Sequence, residues 1–395
     1  MARLPNFLVI IRSEKLSGKG QGRGCLGVRK KERFVLGKRT FRSQKSKHFV
    51  LRIIPDHIFL VRGKNSYEKC GAQAVLESVF VKLACGVTEF FDFEANPKIE
   101  DMEKGLSLLK EYPTNMIIAI GGGSVLDMAK LLRFFYSYSG NPTGGEFEKK
   151  RQLIPLITLP TTAGTGSEAT HFSVLYKDKV KYSVEHDAIL PDVAIVYPKF
   201  TYGNSKYLTS CTGFDALAQA IEAYWNVNAT EESDKYAAKA IKLLWPNLPL
   251  VVNSPTAEAR NKVSEGSYWA GRAINITKTT APHAFSYSFT TDYGYPHGHA
   301  VALTFPFFMR YNIGNSDILL NPNINPYLYK IKMQKMLQWL NMECVDVAIA
   351  MKEYIRNLGL DIDISQIDIS KIVSSVNIQR LINNPYKVEA ICLEE

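Results

Sequence analysis

Between residues 57 and about 204, short apolar runs alternate with helix-length segments, and this alternation restricts the fold more than any other feature of the chain. Ile58-Phe59-Leu60-Val61 stops at Gly63, Met116-Ile117-Ile118-Ala119-Ile120 stops at Gly121, and the run from Leu153 to Leu159 stops at Pro160. Unbroken apolar runs, as opposed to alternating ones, belong to strands covered on both faces, so a mostly parallel sheet with crossover helices is expected. After about residue 205 the period changes. Segments 213–225, 231–245 and 256–277 carry apolar residues three to four apart, with Ser254-Pro255 expected to open a helix and Glu231-Glu232 following Thr230 at another helix start. The chain therefore divides into an α/β domain over 51–204 and a helical domain over 205–395, with a ligand expected in the cleft between them.

Charge removes one class of function. The chain holds 48 Lys/Arg against 38 Asp/Glu, a net +10, yet residues 1–50 alone hold 14 against 2. The remaining 34 and 36 nearly cancel. A surface that tracks nucleic acid needs its cations on the folded body, so no nucleic-acid partner is expected. The 1–50 leader reads as a disordered or atypical extension, because Gly18, Gly20, Gly22 and Gly24 interrupt any amphipathic targeting helix. No apolar run reaches the roughly 18 residues of a membrane span. Six scattered cysteines form no CxxC pair, which fits reduced thiols in a cytoplasmic setting.

Three motifs carry chemistry. In Ile120-Gly121-Gly122-Gly123-Ser124-Val125-Leu126-Asp127, a strand runs through three glycines into a helix. Glycines admit a pyrophosphate close to the backbone and free amides at the helix start bind its charge, although such a turn also occurs as plain structure. Pro160-Thr161-Thr162-Ala163-Gly164-Thr165-Gly166-Ser167-Glu168 crowds hydroxyls onto a loop after the next strand, suited to a phosphate or a carboxamide, or to an ordinary connection. Asp215 and Gln219 lie four apart on one helix face, and three of the seven histidines, His283, His297 and His299, fall within 17 residues. A carboxylate with two imidazoles suits a divalent transition metal, while the same cluster also serves structural hydrogen bonding.

Together, GGGSVLDMAK at 121–130, PTTAGTGSE at 160–168, GFDALAQAIEA at 213–223, PHG at 296–298 and Asn383-Asn384-Pro385 resemble the iron-containing, or group III, alcohol dehydrogenase family over about residues 57–390. The resemblance implies a dehydroquinate synthase-like fold: an N-terminal Rossmann-like nucleotide-binding domain and a C-terminal helical metal-binding domain. It places the metal, Fe2+ or Zn2+, on Asp215, His283, His297 and position 219, where this chain has Gln219 in place of the family's usual His. It assigns cofactor contacts to Asn96, Gly121, Gly122, Gly123, Ser124 and Asp127, and to Thr161, Thr162, Thr165 and Lys181. The segment before residue 57 departs from the family, with Arg33 to Lys38 a relic of its opening turn.

NAD-specific members carry an acid at the end of the first strand, where this chain has Gly63 between Arg62 and Lys64. Removing that acid removes repulsion of a 2′-phosphate, so NADP(H) is expected to be accepted alongside or ahead of NAD(H). The expected reaction interconverts a small aldehyde and its alcohol, and DALxQAIE with HGHAVAL at 297–303 resembles the phosphonate-metabolism branch. Phosphonoacetaldehyde is then the expected substrate, its anion met by Arg272, Lys278 and Thr279, and His299 is a candidate for proton delivery. A generic short-chain alcohol dehydrogenase, a dehydroquinate synthase-like lyase and a metal-free nucleotide-binding relic are the alternatives. Homodimers or larger assemblies are expected by resemblance.

Overall fold

A computed structural model of the chain describes residues 8–11, 55–178, 180–314 and 319–388. It divides into two compact units: one runs to Thr161 and resumes over His171–Gly203, and the other comprises Thr162–Thr170 together with the chain from Asn204.

The first unit contains strands β1 (Leu8–Ile11), β2 (His57–Arg62), β3 (Gly86–Phe90) and β4 (Met116–Gly121), with helices α1 (Ser66–Lys69), α2 (Ala72–Leu83), α3 (Ile99–Glu111) and α4 (Gly123–Ser137). A hairpin of β5 (Tyr138–Gly140) and β6 (Phe147–Lys149) precedes β7 (Leu156–Pro160), and a second hairpin of β8 (Phe172–Lys177) and β9 (Val180–Glu185) precedes β10 (Val193–Val196). The main sheet has the order β1-β10-β7-β4-β2-β3, parallel except for β1 against β10. Strands β4, β7 and β10 are buried throughout.

That burial explains the unbroken apolar runs. Phe59, Val61, Ile117, Ala119 and Leu156 pack with α3 and α4 on one face, whereas Ile58, Leu60, Met116, Ile118 and Ile120 pack with Tyr67, Leu76 and Phe80 on the other. Chain order reverses about β2, because β3 lies on one side of it and β4 on the other. The carboxyl ends of two strands flanking such a switch point form the ligand crevice of open α/β sheets. Gly63 and the Gly121–Ser124 turn sit there.

The second unit is helical: α5 (Lys206–Trp225), α6 (Glu231–Asn253), α7 (Ala257–Thr277), α8 (Ala281–Tyr293), α9 (His297–Gly314), α10 (Pro326–Leu340), α11 (Val347–Asn357) and α12 (Ile369–Ser375). From Thr209 onward α5 is buried almost all round, as a central helix must be.

Several boundaries differ from the sequence expectation, and at two helix starts a cap decides the difference. Helix α5 starts at Lys206 and not near Gly213, because the Ser205 hydroxyl accepts the Leu208 N–H and caps it. Gly213 lies inside the helix, where a Cβ would strike the Leu248 side chain. Helix α6 runs on to Asn253 despite Pro246 and Pro249. The cap of α7 is Thr256, whose side chain accepts the Ala259 N–H at 3.1 Å; Ser254 instead closes α6. The leader supplies β1 to the sheet at 8–11, an addition the reading of 1–50 did not include. The rest of that reading, including the Arg33–Lys38 relic, lies outside the described residues. None of the described helices is long and apolar enough to cross a membrane.

The sheet is tied to α4 by Arg133, only 2% exposed. Its Nε donates to the Ile154 carbonyl at 2.8 Å, Nη1 to those of Ala188 and Leu190 at 3.2 and 3.0 Å, and Nη2 to Asp192 Oδ2 at 2.7 Å. The same carboxylate oxygen accepts the Leu156 N–H at 2.9 Å. Arg133→Met should therefore destabilise the protein by about 3 kcal/mol, by leaving carbonyls and a carboxylate unpaired. Thermal unfolding measures this, and an unchanged midpoint would contradict it.

Candidate metal centre and nucleotide turns

Asp215, Gln219 and Glu222 occupy positions i, i+4 and i+7 of α5 and so share one face. Gly298 allows α9 to begin against that face, since a Cβ there would run into the Cys211 carbonyl and lie 3.0 Å from Asp215 Cβ. The approach sets His297 beside Asp215, with His297 Nε2 at 3.8 Å from Oδ1. From α8, His283 Nε2 lies 3.1 Å from the same oxygen.

These residues fit a divalent cation. Ligand atoms of Asp215, His283 and His297 lie within 4.8 Å of one another. Only the Gln219 Nε2 can donate to a carboxylate, and it does so to Asp215 Oδ2 at 3.1 Å, which leaves Gln219 Oε1 buried with no hydrogen-bond partner among the described residues. A bound cation would satisfy such an oxygen. Asp215, Gln219 and His283 are at most 4% exposed, whereas the His297 side chain is 34% exposed, so the centre opens on the His297 side. Structural sites close fully and catalytic ones keep an open position.

The charges around His283 are matched. Burial acts to lower its pKa, but the Glu222 and Asp215 carboxylates outweigh burial and push it up to about 10. Burial likewise acts to raise the Asp215 pKa, and the two imidazoles more than offset it, leaving it lowered. Because Glu222 Oε2 faces His283 Nδ1, that nitrogen keeps its proton and Nε2 is the one turned toward Asp215.

Sequence reasoning gave Glu222 no role, although its i+7 spacing from Asp215 was a usable signal. Fully buried, it also accepts the N–H and hydroxyl of Thr280, each at 2.9 Å. The end of the 277–280 link is thus fixed to it. Lys278 ends α7 with φ at 65°, its carbonyl accepting from Asn226, and the Thr279 carbonyl accepts from Asn383 Nδ2 at 3.2 Å. Arg272 lies elsewhere, on the α6–α7 face, 3.1 Å from the Tyr236 hydroxyl and 3.8 Å from Glu232. His299 has both ring nitrogens engaged: Nε2–H donates to the Asp361 carbonyl at 2.5 Å, so Nδ1 accepts the Tyr207 O–H at 2.9 Å.

The nucleotide residues group as follows. Helix α4 starts without a side-chain cap, leaving its first amides for an anion, and a Cβ at Gly121 would strike Val125. Ser124 Oγ accepts the Asn96 N–H at 3.1 Å, and the Thr161 N–H donates to the Gly121 carbonyl at 2.9 Å. Asp127 has a fold-holding task, accepting from Val174 N–H at 3.0 Å and lying 3.6 Å from Lys130. Thr162 and Thr165 belong to the helical unit, where the Gly164 carbonyl accepts from Ser267 and Gly166 sits against Gly271. Lys181 pairs with Tyr176 in the β8–β9 hairpin.

At the Gly63 turn the expected cations have counter-ions that the sequence did not reveal. Arg62 Nε lies 2.7 Å from Glu89 with its guanidinium 3.7 Å above the Phe91 ring, and Lys64 lies 3.4 Å from Asp92.

Two substitutions probe the centre. Glu222→Gln should lower metal affinity by about 10- to 100-fold, the usual effect of losing the partner that orients a ligating imidazole. Titration of metal into the purified variant reads this directly. Gly298→Ala should push the start of α9 off α5 and cost metal affinity by about tenfold or more, since a ligand displaced by a fraction of an ångström no longer converges. Wild-type affinity in that variant would contradict the packing argument.

Residues 33–198 match the family model for iron-containing alcohol dehydrogenase, and residues 209–384 match the C-terminal model of the Fe-containing alcohol dehydrogenase family. Long-chain-alcohol dehydrogenase 1 of Geobacillus thermodenitrificans is 38% identical over 229 residues, covering 56% of this chain and 58% of that protein. The match thus spans little more than half of that relative's length. A 1,3-propanediol dehydrogenase of Klebsiella pneumoniae is 31% identical over 285 residues, covering 71% and 72%. The crystal structure of sulfoacetaldehyde reductase from Bifidobacterium kashiwanohense in complex with NAD+ aligns with a TM-score of 0.75 at 30% identity, over 86% of this chain and 89% of that one. With both family models matched across most of its length, the chain belongs to the iron-containing alcohol dehydrogenase family.

Proposed function

We propose that the chain is a metal-dependent NAD(P)H oxidoreductase that interconverts a small aldehyde and its primary alcohol. The observation that carries this reading is the convergence of Asp215, His283 and His297 beside the unpartnered Gln219 Oε1, open on one side. When bound, a divalent cation, iron or zinc, supplies Lewis acidity toward a carbonyl and a reduced nicotinamide supplies hydride.

The protein's own residues do the positioning. Asp215 brings one negative charge and Gln219 a neutral oxygen, a harder donor than imidazole. Glu222 holds the proton on His283 Nδ1 and so presents Nε2 as a ligand. The Gly121–Ser124 turn and the open start of α4 are suited to the pyrophosphate, with Thr161, Thr162 and Thr165 as further cofactor contacts. At the ribose, Gly63 offers no acid against a 2′-phosphate, while Glu89 and Asp92 balance Arg62 and Lys64. We therefore assign use of both NADPH and NADH to this turn. His299, two residues after His297 on α9, fixes the Tyr207 hydroxyl.

The finer reading is a two-carbon aldehyde with an anionic end, such as phosphonoacetaldehyde reduced to 2-hydroxyethylphosphonate. Likeness to a sulfoacetaldehyde reductase supports an acid-bearing acetaldehyde of this shape. Lys278 and Thr279 are the proposed anion contacts adjoining the centre, and Arg272 the more distant one.

Protein reconstituted with Fe(II) or Zn(II) should oxidise NADPH and NADH in the presence of small aldehydes, a chelator should remove the activity, and Asp215→Ala should abolish metal uptake. Full turnover without metal would overturn the reading. Nucleotide binding with no metal uptake would identify a metal-free relic instead.

A further inference from the structure

Arg380 lies on the 3-10 turn Ile378–Asn383, whose position is firmly set. The Asn377 side chain accepts the Gln379 N–H at its start. At its end, Asn383 Nδ2 donates to the Thr279 carbonyl, Asn228 Nδ2 donates to Asn383 Oδ1 at 3.0 Å, and the Val227 N–H donates to the Asn383 carbonyl at 3.2 Å. Beyond it, the Asn384 and Asn312 amides bond each other at 3.2 and 2.9 Å.

The turn carries the Arg380 guanidinium to 4.5 Å from the Tyr287 ring centroid. Tyr287 also stacks on the His297 imidazole, nearly parallel at 6° and 6.1 Å between centroids. A cation therefore stands one aromatic ring away from the exposed member of the metal-ligand set. Among the described residues no carboxylate pairs with Arg380, in contrast to Arg62, Arg133 and Arg272, each of which faces an acid. A partly buried guanidinium resting on an aromatic face keeps its in-plane N–H groups for a planar or tetrahedral oxyanion.

We propose that Arg380 is a further specificity-determining residue that, beside the Lys278–Thr279 link to which its turn is bonded, binds the oxyanion end of a short anionic aldehyde, a phosphonate or sulfonate, while the carbonyl end lies toward His297. This rests on the aldehyde reductase reading above. A neutral aldehyde leaves the cation without a partner, so Arg380 selects for charged substrates through binding.

The test compares wild type with Arg380→Met and Arg380→Lys, using phosphonoacetaldehyde, sulfoacetaldehyde and propionaldehyde under saturating NADPH. In Arg380→Met the ratio of kcat/KM for an anionic aldehyde to that for propionaldehyde should fall by about thirtyfold, mainly through KM, as when one partner of a charged pair is truncated. Arg380→Lys should keep part of it, and the two anions tell which head group fits. Calorimetric titration of 2-hydroxyethylphosphonate into metal-loaded protein should show Kd rising by a similar factor in Arg380→Met. A ratio that moves less than about twofold, or product affinity unchanged in the variant, overturns the proposal. Wild-type protein that reduces none of the three aldehydes overturns the reductase reading instead, and the titration then decides Arg380 alone.

Discussion

One buried carboxylate organises the helical unit. Asp215, at 2% exposure, is an ionisable group in an apolar surrounding, and such a group persists only with partners that compensate its lost hydration. Those partners come from three directions: Gln219 from the next turn of α5, His283 from α8 and His297 from the start of α9. Each imposes a packing condition. Gly298 is required so that α9 can approach, and Glu222 is required so that His283 presents the right nitrogen. The arrangement is costly unless complete, and Gln219 Oε1 is the atom of this group left without a hydrogen-bond partner among the described residues.

The sheet unit follows a different rule. Its strands are apolar on both faces because helices cover both, and residues of alternate parity divide between the two cores. At the carboxyl edge, where strand order reverses, side chains give way to glycine and helix α4 starts uncapped. Backbone amides and the absence of Cβ atoms are the chemistry of that edge. Arg133 and Asp127 show the other use of polar groups in this unit, which is to fasten loops to α4 through their carbonyls and amides.

Much of the candidate site was legible because it depends on short-range spacing. The i, i+4 relation of Asp215 and Gln219 needs only a helix, and the helix needs only its apolar period. The strand-glycine-helix passage at 116–124 is equally local. Glu222 was legible in the same way, at i+7, and passed unread because a glutamate at a helix end has many ordinary uses. Start positions failed where a cap decided them: Ser205 and Thr256 hold their helix starts by single hydrogen bonds that periodicity does not report.

From sequence alone came two units of different class, the glycine turn, and the residue types able to hold a metal, because periodicity and local motifs act over a few residues. Tertiary structure alone decided which nitrogen of His283 faces Asp215, that Arg62 and Lys64 are met by Glu89 and Asp92, and that Arg380 stands one ring from His297. Those facts join groups up to 83 residues apart, Arg380 and His297. Electrostatics and stacking act through space, and the order of residues along a chain does not state which distant side chains will share that space.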